Sequence, residues 1–367
     1  MATASVFDRP SLWSRIRPYL TGYDGPLAFG VFLLAGLGLV TMYSAGHDFG
    51  GRFADHARNM LLAGFVMFVV AQIPPQRLMA AAVPLYLLGV ALLVAVAVFG
   101  ITKKGARRWL NVGVVIQPSE IMKIAMPLML AWWFQKREGQ LRPLDFLAAG
   151  ALLAVPAALI MKQPDLGTAL LVLAAGLSVI LFAGLSWKLI VPPVLLGVVG
   201  IGLVVFFGDN LCAEGVRWPV LHDYQQQRIC TLLDPTRDPL GKGFMQGTQT
   251  HLEFIPERTT DFIFAAYGEE FGLAGGLVLI AIYIFIVLRA LVIALEAPTL
   301  FSRLLAGAVA MIFFSYAFVN MGMVSGILPV VGVPLPFVSY GGTAMLTLGL
   351  ALGILMSIAK GKRLVQS

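Results

Sequence analysis

Ten apolar stretches, most of them long enough to cross a lipid bilayer, constrain the fold of this chain more than any other feature. A helix needs about 20 apolar residues to cross the hydrocarbon core. The stretches lie at 26–45, 59–74, 78–100, 118–135, 144–161, 167–184, 188–207, 270–295, 303–325 and 337–359. The second and fifth are short, so the expected fold is an all-α polytopic membrane protein of about ten transmembrane helices. We expect a single transmembrane domain over residues 1–367.

The composition supports a membrane location. Hydrophobic residues make up 59% of the 367 residues and charged residues 12%, whereas charged residues are about 25% of an ordinary soluble domain. The net charge of +7 is typical of basic cytoplasmic loops and contacts with anionic lipid, and it does not indicate nucleic-acid binding. Cys212 and Cys230 are too few for a disulfide framework or a metal site, although they could form one bridge.

A long polar loop, 208–269, separates the seventh and eighth stretches. Loops of this length are either functional or disordered, and the aromatic residues among its charges favour a folded surface feature. With a cytoplasmic N-terminus, the short loops and termini carry 13 basic residues inside and 7 outside. The excess of basic residues inside predicts that both termini are cytoplasmic and that the long loop is extracytoplasmic.

Three groups of polar residues outside the long loop are candidates for function. The basic cluster KKGARR at 103–108 lies on the outer side, where a pyrophosphate-bearing lipid or anionic headgroups would explain it. Glu120 and Lys123 share one helix face at membrane depth, where ionisable groups are usually functional; the alternative is a structural ion pair. Asp165 stands at a predicted helix start, and for this residue alone we favour a capping role.

The strongest local signal is LEFIPERTTDFIF at 252–264, which places Asp261 where the long loop returns to the membrane. A carboxylate half-shielded by aromatic side chains can act as a general base. The spacing is equally compatible with Asp261 as a helix N-cap, and with Glu269 and Glu270 as a solvated helix start. The turn GVPLPFVSYGG at 332–342 predicts a cavity wall, because non-helical backbone at membrane depth needs protein or water around it.

Four motifs together resemble the SEDS family of bacterial cell-wall synthesis, which contains RodA and FtsW, over about residues 20–360. The motifs are GARRWL at 105–110 with QPSE at 117–120 and Lys123, QPDLGT at 163–168, PERTTDFIF at 256–264, and PLPFVSYGG at 334–342. The PER that precedes TTD, and NMGMVSGILPVVGVP at 320–334, favour the RodA branch.

The resemblance implies a peptidoglycan glycosyltransferase that polymerises lipid II on the outer face of the bacterial cytoplasmic membrane. RodA members serve cell elongation and rod-shape maintenance with a class B penicillin-binding protein, the transpeptidase, and other elongation-complex membrane proteins. Asp261 matches the essential aspartate of the family and is the expected catalytic residue. The expected substrate-binding residues are Arg107, Arg108, Trp109, Glu120, Lys123, Asp165, Arg258, Ser339 and Tyr340.

The implied reaction is inverting. Asp261 takes the proton of the acceptor 4-hydroxyl, that oxygen attacks C1 of the donor, and undecaprenyl pyrophosphate leaves, stabilised by Arg107, Arg108, Lys123 or a divalent cation. The cation, Mg²⁺ or Mn²⁺, is expected from the family alone, because the sequence shows no metal-ligand spacing; no other cofactor is expected. A lipid II flippase, or a scaffold that only recruits the transpeptidase, remains an alternative.

One departure from the family lies in the long loop. Between DPLGKGF at 238–244 and QGTQ at 246–249 the family usually carries an additional segment rich in Ile, Gln and Gly, which this chain lacks. The departure bears on the architecture of the loop and on activity, and it leaves the predicted fold unchanged.

Overall fold

The computed structural model describes residues 23–103, 106–111, 113, 115–184, 195, 199, 240–247 and 257–366. Nine helices lie in this part of the chain: α1 (Gly25–Ala45), α2 (Arg52–Val70), α3 (Pro75–Phe99), α4 (Pro118–Gln135), α5 (Pro143–Met161), α6 (Leu166–Phe182), α7 (Ile263–Leu295), α8 (Leu300–Val324) and α9 (Gly342–Gln366). They correspond to nine of the ten predicted spans. The other span, 188–207, is described only at residues 195 and 199, and Cys212 and Cys230 lie outside the described residues.

Seven of the nine helices are long and apolar enough to cross a membrane, all except α4 and α6. Helix α6 is apolar but has only 17 residues, and α4 carries Glu120 and Lys123 near its start. Large apolar side chains such as Phe32, Leu61 and Leu147 are exposed on the described helices, as expected for surfaces that face lipid. The expectation of an all-α polytopic membrane protein is confirmed.

Three predicted helix starts differ from the observed ones by five residues or more. Helix α2 begins at Arg52 rather than 59, because its polar first turns are helical although they are not apolar. Helix α7 begins at Ile263 rather than 270, because a short helical segment precedes a kink at Gly272 and is continuous with the long helix that follows. Helix α9 begins at Gly342 rather than 337, because Phe337 has a φ of 59° and the residues after it form a turn. Apolarity locates the part of a helix in hydrocarbon and misses polar turns at its ends.

A small antiparallel sheet, which the sequence analysis did not anticipate, connects α3 to α4. Its strands are β1 (Ile101–Lys103), β2 (Ala106–Asn111) and β3 (Val115–Ile116), in the order β1-β2-β3. Strand β2 carries Arg107 and Arg108 of the basic cluster, and Arg107 donates a hydrogen bond to the carbonyl oxygen of Ala97 at 3.2 Å.

Helix α8 lies at the centre of the bundle, and most of its side chains are buried. Helix α9 packs closely against α2 because small residues allow the backbones to approach. A Cβ added at Gly349 would lie 2.5 Å from the carbonyl oxygen of Ala63. The starts of α2, α4, α6, α7 and α9 lie at one end of the bundle, which we call the Asp261 end. The starts of α1, α3, α5 and α8 lie at the opposite end.

The close contact between α9 and α2 gives a first prediction. Gly349→Ala should lower the thermal unfolding midpoint in detergent, because overpacking at such a contact costs about 1–3 kcal/mol. Gly64→Ala is the matched control, since nothing lies within 4 Å of a Cβ at Gly64 and alanine is favoured over glycine in a helix by about 0.5–1 kcal/mol. Equal midpoints for the two variants would contradict the close packing of α9 on α2.

Candidate active site

Asp261 lies on a turn whose backbone accepts three hydrogen bonds from other parts of the fold. The carbonyl oxygen of Asp261 accepts a hydrogen bond from Asn320 Nδ2 at 2.9 Å. The preceding carbonyl, of Thr260, accepts one from Ser339 Oγ at 2.6 Å, and that of Thr259 accepts one from the amide of Tyr340 at 2.7 Å. Three successive carbonyls are therefore fixed by α8 and by the turn that precedes α9.

The same contacts position the 332–342 turn against Asp261. Asn320 Nδ2 also donates to the carbonyl oxygen of Val333 at 2.7 Å, and Ser339 Oγ accepts from the amide of Leu335 at 2.7 Å. Gly332 has a φ of 69°, and a Cβ built on it would lie 3.4 Å from Asp261 Oδ2. The predicted cavity wall and the predicted base are therefore adjacent.

The helix start itself excludes one interpretation of Asp261. Helix α7 begins at Ile263, and Phe262 occupies the N-cap position. Asp261 precedes that position, so it is not the N-cap residue. Its side chain is half-buried, which is the environment that the sequence suggested for a general base.

The expectation that Glu269 and Glu270 form a solvated helix start was wrong. Glu270 is buried within α7 and accepts a short hydrogen bond from Ser44 Oγ. Glu269 Oε1 lies 2.8 Å from Lys242 Nζ. The amides of Lys242 and Gly243 donate to the carbonyls of Glu269 and Glu270, so the segment 240–247, where the family pattern is shortened, docks on the start of α7.

Arg258, which begins the Asp261 turn, is fixed by contacts with the residues that precede α2. Its side chain is buried, with Nη2 2.8 Å from Asp48 Oδ2 and the guanidinium 5.0 Å from the centre of the Phe49 ring. Arg52, which the sequence analysis did not select, donates to Thr259 Oγ1 and stacks on the same ring at 3.9 Å. Both cations hold the residues around Asp261, and in this arrangement the contacts of Arg258 are with protein.

Asp165 joins α6 to the basic strand β2. Its Oδ1 accepts from the amide of Thr168 at 3.3 Å, which confirms the capping role. The same carboxylate is 3.5 Å from Arg108 Nη1 and accepts from Gln117 Nε2 at 3.0 Å. Arg108, which remains one-third exposed, also donates to the carbonyl of Pro164. Trp109, between the basic residues and Leu110, is half-buried.

The start of α6, which carries Asp165, and Asp261 both lie close to the backbone segment 331–332. A Cβ built on Gly167, in the first turn of α6, would lie 2.6 Å from the carbonyl oxygen of Val331. A Cβ built on the next residue, Gly332, would lie 3.4 Å from Asp261 Oδ2. The segment 331–332 therefore lies close both to the start of α6 and to the aspartate.

Glu120 and Lys123 form a buried network inside the bundle. Lys123 Nζ lies 2.6 Å from Glu120 Oε1 and 2.5 Å from the hydroxyl of Tyr316, and only 3% of the lysine side chain is exposed. Thr347 donates to Glu120 Oε2 at 3.0 Å. The network joins α4, α8 and α9, which is the arrangement expected of the structural alternative; a role in substrate binding stays a prediction.

Asn320 is the residue that sequence reasoning missed and could have found. It is a fully buried amide in a mostly apolar span, and polar side chains at membrane depth usually have a functional or structural role. The contacts of Arg52 carry no comparable local signal, because they depend on the fold. Among the described residues, no group of three or more His, Cys, Asp or Glu side chains could hold a metal ion.

The profile of the FtsW/RodA/SpoVE family, described as a cell cycle protein family, matches residues 26–364. The chain belongs to this family. It is 44% identical over 354 residues to peptidoglycan glycosyltransferase MrdB of Escherichia coli (strain K12), which covers 91% of this chain and 92% of that protein.

Two solved structures share the fold. One is a chain from a study of the structural coordination of polymerization and crosslinking by a peptidoglycan synthase complex. It is 31% identical in sequence, the alignment covers 93% of this chain and 99% of that chain, and the TM-score is 0.71. The other is the rod shape determining protein RodA of Thermus thermophilus: 28% identity, 92% and 97% coverage, and a TM-score of 0.70. The SEDS family and the RodA branch that the motifs predicted are confirmed.

The Glu120–Lys123 pair generates the second prediction. Lys123→Met should sharply reduce the yield of folded protein in detergent, because a buried carboxylate left without its partner costs about 3–5 kcal/mol. The double variant with Glu120→Gln should recover most of that yield, since no buried charge remains. Full yield of the single variant together with lost activity would instead support a role in substrate binding.

Proposed function

We propose that this protein is a peptidoglycan glycosyltransferase that polymerises lipid II during cell elongation, with Asp261 as the general base. The similarity to MrdB and RodA over most of the chain supports the activity and the elongation role. The observation that carries the assignment of the base is the turn at 259–261. Each of its three successive carbonyls accepts a hydrogen bond, so the backbone of Asp261 is fixed and its carboxylate is presented from a fixed position.

A fixed, half-buried carboxylate suits proton abstraction from a sugar hydroxyl. Asp261 takes the proton of the 4-hydroxyl of the acceptor GlcNAc as that oxygen forms a bond to C1 of the donor MurNAc. The bond between C1 and the pyrophosphate oxygen breaks, and the configuration at C1 inverts. General bases of this kind contribute about 10²–10⁴-fold to a rate, and preorganisation of the base adds to this because no turn has to reorganise during the step.

The leaving pyrophosphate needs positive potential, and the Asp261 end supplies it from two sources. Five described helices start there, and a helix start carries a partial positive charge that favours phosphate groups. Strand β2 adds Arg107, which is exposed, and Arg108, which is one-third exposed. Lys123 is buried against Glu120 and Tyr316, so in this reading it acts on the bundle and not directly on the leaving group.

Among the residues that the structure describes, no set of side chains forms a metal site on its own. A divalent cation would stabilise the departing pyrophosphate, and Asp261 would be one of its ligands. Of the other carboxylates near it, Asp165 and Asp48 are paired with Arg108 and Arg258, and Glu257 accepts a hydrogen bond from the hydroxyl of Thr260. The described donors therefore fall short of a protein-built site, and no step of the proposed reaction uses a cation.

The partner and the orientation in the membrane belong to the same proposal. The similar chain from a peptidoglycan synthase complex supports a class B penicillin-binding protein as the partner that crosslinks the product, alongside other membrane proteins of the elongation complex. The similarity to MrdB and RodA supports a location in the bacterial cytoplasmic membrane. The distribution of basic residues supports the orientation, with both termini in the cytoplasm and the Asp261 end outside. A single transmembrane domain over 1–367, with the large loop at 208–269, completes the proposal.

The third prediction tests the base. Asp261→Asn keeps the size of the side chain and removes the base, so polymerisation of lipid II should fall about 10²–10⁴-fold. Asp55→Asn is the matched control: its carboxylate lies at the same end, is 42% exposed and pairs only locally with Arg58. Glycan products are resolved on gels from equal amounts of folded protein with equal partner binding.

Two results would contradict the proposal in different ways. Substantial polymer from the Asp261→Asn variant would remove Asp261 from the role of base while leaving the activity intact. Absence of polymer from the unaltered protein with its partner, combined with transfer of lipid II across vesicle membranes, would favour the flippase. The observation that favours the flippase as the second candidate is the buried Glu120–Lys123 pair, because transporters also use intramembrane charges when they alternate between inward-facing and outward-facing states.

A further inference from the structure

A cavity of about 790 Å³ lies at the end of the bundle opposite Asp261. It forms where the turn between α2 and α3, the ends of α4 and α9, and the start of α8 meet. Its volume falls in the range of about 300–1,000 Å³ typical of small-molecule sites. The reaction proposed above makes no use of this end of the protein.

The walls of the cavity are joined by hydrogen bonds between different elements. Gln135 Oε1, at the end of α4, accepts from the amide of Phe301 in α8 at 2.7 Å. Ser357 Oγ, in α9, donates to the carbonyl of Ile73 at 2.5 Å. Lys360 Nζ donates to Gln72 Oε1 at 2.8 Å. The cavity is therefore a preformed feature of the packed bundle and not a gap between loose ends.

The charge of the lining has one sign. Lys136 and Lys360 line the cavity, and no Asp or Glu is among its described lining residues. A cation near the end of a helix is favoured by the helix dipole, which accounts for Lys136 directly after α4. It does not account for Lys360, which precedes the last turn of α9, or for two lysines at one cavity with no carboxylate among its described lining residues.

The remaining lining is largely apolar. Ile73, Met79, Phe301 and Ile358 contribute hydrocarbon surface, and the hydroxyls of Thr299 and Ser302 lie beside it at the start of α8. A ligand that satisfies all three features carries an anionic group, polar atoms next to it, and an apolar body.

We propose that this cavity is a binding site for an anionic phospholipid. The phosphate lies between Lys136 and Lys360, the glycerol region meets the hydroxyls, and the upper part of an acyl chain covers the apolar wall. Basic pockets between transmembrane helices bind anionic headgroups in this way. The leaflet that supplies the lipid is the cytoplasmic one if the orientation proposed above is correct; the site itself does not depend on that orientation or on the catalytic role of Asp261.

The lining favours a lipid over two other anionic ligands. Free inorganic phosphate would leave the apolar wall exposed to water and gain nothing from it. An acidic peptide segment would need a groove that continues beyond the two lysines, whereas the lining of this cavity comes from the α2–α3 turn, the ends of α4 and α9, and the start of α8.

The test is native mass spectrometry of the full-length protein in detergent, titrated with phosphatidylglycerol or with phosphatidylcholine of the same acyl chains. We expect retention of phosphatidylglycerol in preference to phosphatidylcholine. Each lysine near an anionic group contributes about fivefold to affinity, so Lys136→Gln and Lys360→Gln should each weaken phosphatidylglycerol binding about fivefold, and the double variant about twenty-five-fold.

Arg142→Gln is the matched control, because Arg142 is an exposed cation at the same end that does not line the cavity. It should bind phosphatidylglycerol as the unaltered protein does, and all variants should polymerise lipid II in detergent at the unaltered rate. A loss in Arg142→Gln equal to that in the double variant would show a diffuse basic surface and overturn the proposal. So would unchanged binding in the double variant, or equal thermal stabilisation by inorganic phosphate and by phosphatidylglycerol.

Discussion

Three hydrogen bonds to consecutive carbonyls, at Thr259, Thr260 and Asp261, hold the part of this structure on which the proposed chemistry depends. Two of the donors are side chains, Asn320 and Ser339, and the third is the backbone amide of Tyr340. Non-helical backbone near a bilayer core must find its hydrogen-bond partners within the protein, since an unsatisfied group there costs several kcal/mol. The 259–261 turn and the 332–342 turn find these partners in each other and in Asn320 of α8, so each turn stabilises the other.

The sequence predicted the main features of the fold because hydrocarbon imposes a simple length rule. Nine of the ten apolar stretches correspond to described helices. Helix ends were predicted less well, and Glu269 and Glu270 show why. Two adjacent carboxylates indicate solvent when only the sequence is available, yet Ser44 and Lys242, which are distant in the chain, bind them within α7.

The candidate site shows the same division between what a motif indicates and what only the fold decides. The motifs selected Arg258 and Ser339 as residues of the site, and the structure places both beside the 259–261 turn. Their contacts are with protein: Arg258 binds Asp48, and the hydroxyl of Ser339 both donates and accepts to backbone groups. A motif identifies residues that are near the chemistry, but the direction in which a side chain points depends on partners from other helices.

The position of Gly332 explains why the aspartate motif and the PLPFVSYGG motif belong to one functional unit. Gly332 has a φ of 69°, a conformation that residues with a Cβ rarely adopt, and the position of its missing Cβ lies 3.4 Å from Asp261 Oδ2. A side chain there would strain the turn and cover one oxygen of the carboxylate. The glycine thus lets the turn follow the path that Asn320 requires at Val333, and it keeps side-chain bulk away from that oxygen. The shape of the turn and the access to the proposed base are therefore set by the same residue.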